Sequence, residues 1–464
     1  MFGSRGGGRQ DFRFLSKFRR FNITQGTKSL GDLTRNYLSG PIPPEWGSST
    51  RLVSISLFGN QLTGQIPEEL ANLSNLTSLI LENNRLSGFL LAALGNLSKI
   101  ERLHLSSNYF TGEIPDTFAS LTSLKELYME GSGLSGPIPS INATLENLEY
   151  IIISDLNGTE TSFPQLLINA SLPKLKRLML RSCNVTGEIP ASFGRFTTIN
   201  ILDLSFNRLR GKIPEELSSL ALNNLFLNGN NFSGTVPSWM LNTNVKMGIV
   251  PCLRSQINCT SGPLHFFYIN CGGGEITVDG TTYEADDDQA GPSTFYRSTN
   301  WAFSSTGIFL SDDRPDDILL LDDGQVTTSL AEEVLLYRNA RLAPSSLTYY
   351  AFCLANATYT VHLHFAEIQF TNDRTYRSLG RRIFDVYIQG KQELKDFNIE
   401  EAAGGPGIPK VKNFTVNVTD GTLEIRFRWA GKGTTSMPER SIYGPLISAI
   451  SVFDPGRFST SMDS

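Results

Sequence analysis

The chain has 464 residues, 40% apolar and 18% charged, with a formal charge of −5 at neutral pH. That length holds two or three domains, and the acidic balance supplies no basic surface for nucleic acid. There is no run of about 18 apolar residues to cross a membrane, and the first residues lack the apolar core of a signal peptide.

Residues 1–29 carry Arg5, Arg9, Arg13, Lys17, Arg19, Arg20 and Lys28 against Asp11 alone, with no repeat pattern. They are left unassigned: an organelle transit peptide fits poorly with the glycosylation and cysteine signals below, and an unrelated start fits better.

From residue 30 to residue 242 one pattern recurs, apolar-x-x-apolar-x-apolar-x-x-Asn-x-apolar-x-Gly-x-Ile-Pro. Leu38, Leu62, Leu86, Phe110 and Leu134 fall 24 residues apart within it. In one unit Leu76, Leu79 and Leu81 point inward, Asn84 turns the chain and Leu86 packs before Gly88. The register returns at Leu52, Ile55, Leu57 and Asn60, at Ile100, Leu103, Leu105 and Asn108, and at Ile199, Leu202, Leu204 and Asn207. Such a unit cannot bury its apolar edge alone, so stacked copies make a leucine-rich-repeat solenoid. The recurring Asn predicts a ladder of buried amides that bond neighbouring coils, with Ser132 and Cys183 on that rung elsewhere. One unit departs: after Leu148, Ile151 and Ile153 the rung is Leu156, followed by an insert from Asn157 to Pro164, which predicts a bend or bulge.

Residues flanking the inward Leu pair face the concave side. They are Arg102, His104, Glu126, Tyr128, Glu130, Tyr150, Ile152, Arg177, Met179 and Arg181. Tyr128, Ile152 and Met179 share one register in consecutive units and predict an exposed apolar stripe flanked by charge, the composition of a binding centre with a polar rim. The blander alternative is single exposed apolar residues without a role.

Residues 243–263 form a polar connector with Pro251, Cys252 and Pro263, and from 264 to 454 the period becomes two. Tyr359, Val361, Leu363 and Phe365 alternate with Thr360, His362 and His364; Phe384, Val386 and Ile388 alternate likewise. Phe414, Val416 and Val418 precede Leu423, Ile425, Phe427 and Trp429, with Asp420-Gly421 predicting a hairpin turn between them. This is an antiparallel β-sandwich pattern, followed by a tail at 455–464. His362, His364 and Glu367 lack a placed third ligand for a metal. The acidic run Asp312, Asp313, Asp316, Asp317, Asp322 and Asp323 is read as solvated loop charge rather than a calcium site. No metal and no cofactor are expected.

Asn-x-Ser/Thr triplets occur at Asn22, Asn72, Asn75, Asn96, Asn142, Asn157, Asn169, Asn184, Asn231, Asn258, Asn356, Asn413 and Asn417. Repeats rich in Asn, Ser and Thr generate some of these by themselves, but the number favours a secretory-pathway protein. Cys183 sits on a buried rung where a small thiol fits, which leaves Cys252, Cys259, Cys271 and Cys353. Four cysteines allow three connectivities. The expectation is Cys252 with Cys259, closing a small loop after the solenoid, and Cys271 with Cys353 inside the second domain.

Four segments resemble a malectin domain: Ile269-Asn270-Cys271-Gly272-Gly273, the run His362-Leu363-His364-Phe365-Ala366-Glu367-Ile368, the stretch from Arg382 to Gly390, and Tyr443-Gly444-Pro445-Leu446-Ile447. The Leu-x-Gly-x-Ile-Pro form at Leu134 to Pro139 resembles plant repeats. Together the chain resembles the extracellular part of plant leucine-rich-repeat, malectin-domain receptor-like serine/threonine kinases. The fold class expected is an α/β-type repeat solenoid followed by an all-β malectin-like sandwich. The resemblance implies ligand recognition at the cell surface, with a cell-wall saccharide, a peptide or a co-receptor protein as partner. A membrane would be met only through a helix that this chain lacks. It also implies sugar stacking on Tyr337, Tyr349, Tyr350 or Tyr443, although Tyr443-Gly444-Pro445 stands where the animal domain places an acidic group. No glycine-rich loop, His-Arg-Asp or Asp-Phe-Gly motif is present for phosphoryl transfer, so the chain is not expected to be an enzyme. A secreted inhibitor or decoy of cell-wall enzymes or ligands is the alternative. A glycan-processing enzyme has no paired carboxylates to support it.

Overall fold

The computed structural model describes residues 33–458, apart from 141–144, 164–171, 242–245, 249–258, 260–261, 289–292, 310–317, 321–325, 327–332, 371–379 and 435–442. The basic segment 1–29, Cys252, Asn22, Asn142, Asn169, Asn258 and the acidic positions between 312 and 323 thus lie outside the described residues. The chain divides into two compact units near residue 245.

In the first unit each repeat gives one short strand to a common sheet. Ser54–Ser56, Ser78–Ile80, Arg102–His104, Glu126–Glu130, Tyr150–Ser154, Arg177–Arg181, Ile201–Asp203 and Asn224–Phe226 follow one another across it. From Ser54–Ser56 to Ile201–Asp203 the pairing is parallel and in register, which stacks Ile55, Leu79, Leu103, Leu127, Ile151, Leu178 and Leu202 into one row. The Asn ladder holds successive coils together. Asn84 accepts from Leu62 N at 3.0 Å and donates to Leu57 O at 2.9 Å and Leu81 O at 3.1 Å. Asn108 repeats the arrangement on Leu86, Leu81 and Leu105. A buried amide left unpaired would cost about 1–3 kcal/mol, so full satisfaction is what makes Asn tolerable in this core. Ser132 and Cys183 fill the rung with shorter side chains, which donate to Met129 O at 3.1 Å and Ile153 O at 3.4 Å.

The Ile-Pro ending sets up the return of each coil. Pro67, Pro115, Pro190 and Pro214 are extended caps before the 3₁₀ turns Glu68–Asn72, Asp116–Ser120, Ala191–Arg195 and Glu215–Ser219. The preceding Gly is needed for both conformation and space: Gly88 has φ +83°, and a Cβ there would lie 2.5 Å from Gln65 Cγ. Through the irregular unit the main sheet continues in register, and the change falls on the return side of the coils. A second row of short strands runs from Ser39–Gly40 to Tyr109–Thr111, is replaced by the pair Ser135–Gly136 and Asn157–Gly158, and restarts at Thr161–Ser162.

The second unit is a sandwich of two six-stranded sheets. One has the order Ile276–Val278, Thr281–Asp286, Phe266–Cys271, Ala449–Phe453, Ala357–Phe365, Lys410–Val418. The other has Thr294–Arg297, Trp301–Thr306, Ser346–Ala351, Leu423–Gly433, Arg382–Ile388, Lys391–Phe397. Their inner faces meet through Tyr359, Val361, Leu363, Phe365, Phe384, Val386, Ile425 and Phe427, all buried. Two buried ion pairs explain part of the malectin-like motifs: Arg382 Nε lies 2.8 Å from Glu367 Oε2, and Arg341 Nε lies 2.8 Å from Asp286 Oδ2. Removing one partner of such a pair strands a buried charge, at a cost of about 3–5 kcal/mol.

Two expectations need correction here. Asp420-Gly421 does not close a hairpin, because Lys410–Val418 pairs with Ala357–Phe365 while Leu423–Gly433 pairs with Ser346–Ala351 and Arg382–Ile388. The turn carries the chain from one sheet to the other, with Gly421 at φ +73° and its carbonyl accepting from Leu354 N at 3.0 Å. The disulfide is Cys259–Cys353, and Cys271 is a buried free thiol, so neither expected pair forms. Cys271 ends a strand with its side chain in the core, where burial raises its thiol pKa beside Asp286 and Tyr349. Cys353 instead sits just past a strand end, where Leu264 N donates to its carbonyl at 2.7 Å and Leu264 bridges Leu354. That bridge delivers the end of the connector, and Cys259 with it, to Cys353.

Candidate functional site

In-register pairing sorts the concave residues into rows running across the strands. The first row is Ser78, Arg102, Glu126, Tyr150 and Arg177; the second is Ile80, His104, Tyr128, Ile152, Met179 and Asp203; the third contains Glu130, Ser154 and Arg181. Ser78 is buried, but from Arg102 to Arg177 the first row stays accessible, with the Arg102 side chain 52% exposed and Glu126 27%. Lys176 and Arg177 lie over the Tyr150 ring at 5.9 and 5.7 Å.

The second row is built around His104. Its Nε2 is 2.9 Å from Glu126 Oε2, its Nδ1 is 3.7 Å from Glu82 Oε2, and its ring stacks on Tyr128 at 4.1 Å and 10°. Burial works to lower the pKa of His104, but hydrogen bonds and attraction from the two carboxylates outweigh it and hold the group at about 9. The hydrogen bond from His104 in turn lowers Glu126. Burial raises Tyr128. Ile152 and Met179 are 1% and 8% exposed, which corrects the expectation of an open apolar stripe. Along its strand Met179 lies between Arg177 and Arg181, and Ile152 lies two residues from Tyr150, so longer side chains stand beside both.

The third row is a buried charge cluster. Arg181, 1% exposed, lies 3.4 Å from Ser154 Oγ and 3.6 Å from Asp155 Oδ2, and Ser154 Oγ donates to Asp155 Oδ2 at 2.6 Å. Burial lifts Glu130 to about 7 against the pull of Arg181, and lifts Asp203 as well. Asp203 Oδ1 accepts from Ser205 N at 2.9 Å and from its hydroxyl at 2.5 Å. Sequence reading missed Glu82, Asp155 and Asp203. Extending the Tyr128, Ile152, Met179 register by one repeat would have found Asp203, and stepping back from Glu130 by two repeats of 24 would have found Glu82, whereas Asp155 lies past its strand end.

The four tyrosines singled out in the malectin-like unit do not converge. Tyr349 donates to the buried Asp286 at 2.5 Å, Tyr443 donates to Ile308 O at 3.2 Å and packs 4.7 Å from Trp429, and Tyr337 bonds His364 Nδ1 at 3.1 Å. Tyr337, Tyr349 and Tyr443 are buried, so they are core rings and not the open stacking faces expected; Tyr350 keeps partial exposure beside Phe352. His362 and His364 face outward while Glu367 pairs with Arg382 in the core, so the three do not gather around a point. Among the triplet asparagines, Asn72, Asn96, Asn356, Asn413 and Asn417 are exposed, while the Asn75 amide donates to Thr50 O and accepts from Lys99.

Comparison with known proteins agrees with this layout. The family described as Malectin domain matches residues 265–450, and those described as leucine-rich repeats match 51–73, 74–134, 174–196 and 198–220. A probable LRR receptor-like serine/threonine-protein kinase of Arabidopsis thaliana is 43% identical over 280 residues, covering 56% of this chain and 29% of the relative. Another of the same description is 45% identical over 261 residues, covering 54% and 25%. The crystal structure of the Arabidopsis receptor kinase HAESA with the peptide hormone IDA and the co-receptor SERK1 is similar over 45% of this chain and 35% of that one, at 28% identity and a TM-score of 0.41. Among the described residues no helix is long and apolar enough to cross a membrane. The matched residues are repeats and a malectin domain, not a kinase domain. The chain is therefore a leucine-rich-repeat and malectin-domain protein, related over these domains to plant LRR receptor-like serine/threonine kinases, of which it spans about a third or less of the length.

Proposed function

We propose that this chain is the ligand-recognition region of a plant cell-surface receptor-like kinase, exposed on the extracellular side of the plasma membrane, and that its concave repeat face meets a peptide ligand or a co-receptor. The observation that carries the reading is the accessible row Arg102, Glu126, Tyr150 and Arg177, backed by the prearranged His104 clamp. Charged groups whose rotamers are already fixed lose little entropy on binding. Alternating charge with one part-exposed ring suits a peptide's amides and side chains better than an uncharged saccharide. Signalling would run through segments of the relatives that lie outside this chain.

The test is a fluorescence-anisotropy screen of a synthetic peptide library against the purified protein. An Arg102→Ala, Arg177→Ala double variant is expected to lose at least about tenfold in affinity for any peptide that binds, equivalent to about 1.4 kcal/mol. Unchanged affinity in that variant refutes the concave site. Co-purification with a cell-wall-degrading enzyme would favour the inhibitor reading instead.

A further inference from the structure

We propose that Asn413 carries an N-linked glycan whose first sugars lie across the rings of His362 and Phe453 on the outer face of the malectin unit. The strand Ala357–Phe365 turns His362 outward, and pairing carries that row across four strands: Tyr268 opposite Ser451, Ser451 opposite His362, and His362 opposite Asn413. The neighbouring row sets Phe266 beside Phe453 and Phe453 beside Thr360. His362 meets Phe453 edge-on at 5.2 Å, and Phe266 stacks on Tyr268 at 5.8 Å. Between these rings the small Ser451 forms a floor, its hydroxyl bonded to Tyr283 and His364. The result is a shallow aromatic shelf, with Phe266 54% exposed and His362 and Phe453 half-buried.

Asn413 is exposed on the edge strand of that sheet, about 5 Å from its cross-strand neighbour His362. A sugar joined to its Nδ2 leaves the sheet beside the imidazole. The apolar face of a pyranose then covers aromatic surface while its hydroxyls remain in water, the same division of apolar body and polar edge that suits tyrosine to interfaces. The next triplet on this strand is a built-in control, since Asn417 faces Thr358, whose hydroxyl donates to it at 2.7 Å, and no ring stands opposite it. The shelf is independent of the concave face and shares with the extracellular reading only the need for passage through the secretory pathway.

The experiment is secreted expression of the full chain in plant cells, site-by-site glycopeptide mass spectrometry, and thermal unfolding of Asn413→Gln, Asn417→Gln and Phe453→Ala singly and combined. Asn413 is expected to be occupied, Asn413→Gln to lower the malectin unit's Tm by about 2–4 °C, and Asn417→Gln to leave it unchanged. The Asn413→Gln loss should disappear in the Phe453→Ala background, and trimming the glycan to its first sugar should preserve the stabilisation. An unmodified Asn413 beside a modified Asn356 or Asn417, or equal losses with and without Phe453, overturns the proposal alone. Absence of sugar from every triplet removes the extracellular reading with it.

Discussion

His104 in the solenoid and His364 in the malectin unit are both largely buried on the face of a sheet, and burial works to lower the pKa of each. His104 lies between the carboxylates of Glu126 and Glu82 and is held at about 9. His364 meets the hydroxyls of Tyr337 and Ser451 at 3.1 and 2.9 Å, with His362 nearby, and falls to about 4. At neutral pH one ring is therefore a cation and the other neutral. The difference shows that burial alone does not set charge state; the chemistry of the two nearest partners does. It also distinguishes two surfaces: the solenoid face is assembled from paired charges, and the outer face of the malectin sheet that holds His364 from neutral rings and hydroxyls.

The largest expected effect separates the two units in the unfolding curve. Cys259→Ser removes a bond that closes 94 residues of sequence, and the malectin unit should lose about 4 kcal/mol while the solenoid transition stays in place. Calorimetry of the variant checks this, and equal shifts in both transitions would break the comparison. With the transitions resolved, pH should move them in opposite directions. The raised groups His104 and Glu130 stabilise the solenoid fully below their unfolded values of 6.5 and 4.5, and that contribution is lost as pH rises through about 9 and about 7 respectively. Each is worth about 3 kcal/mol at most, and the raised Asp203 acts in the same sense. In the malectin unit the lowered His364 contributes stability present above 6.5 and lost as pH falls through about 4, with His362 in the same direction and the raised Asp286 offsetting part. Between pH 9 and 5 the solenoid Tm should rise, and below 6.5 the malectin Tm should fall.

Replacing both clamp carboxylates, Glu82→Gln with Glu126→Gln, should bring His104 from about 9 to below its ordinary 6.5, since only burial is then left acting on it. A histidine proton NMR titration reads this directly. The smallest effect is Tyr337→Phe, which removes one hydrogen bond to His364 and should cost about 1 kcal/mol while leaving that ring neutral at pH 7.

Much of this architecture is written locally in the chain. The Leu and Asn positions of each repeat fix the inward row, the ladder and the in-register rows, because every unit meets only its neighbours. Period-two alternation likewise separates His362 and His364 from the core residues Val361 and Leu363. What sequence could not supply depends on contacts between distant segments. Ile152 and Met179 lie on the concave side as expected, but their exposure depends on side-chain lengths in adjacent rows. Asp420-Gly421 marks a turn without saying which sheets it joins. The cysteine pairing turns on Leu264 meeting Leu354, a contact between segments about ninety residues apart.

The most direct test is an NMR titration of the four histidines of the intact protein, assigned by single replacement. A charge-built solenoid face and a neutral malectin face predict that His104 titrates near 9 and His364 near 4. Both rings titrating together near 6.5 would contradict that division and remove the prearranged clamp on which the recognition surface rests.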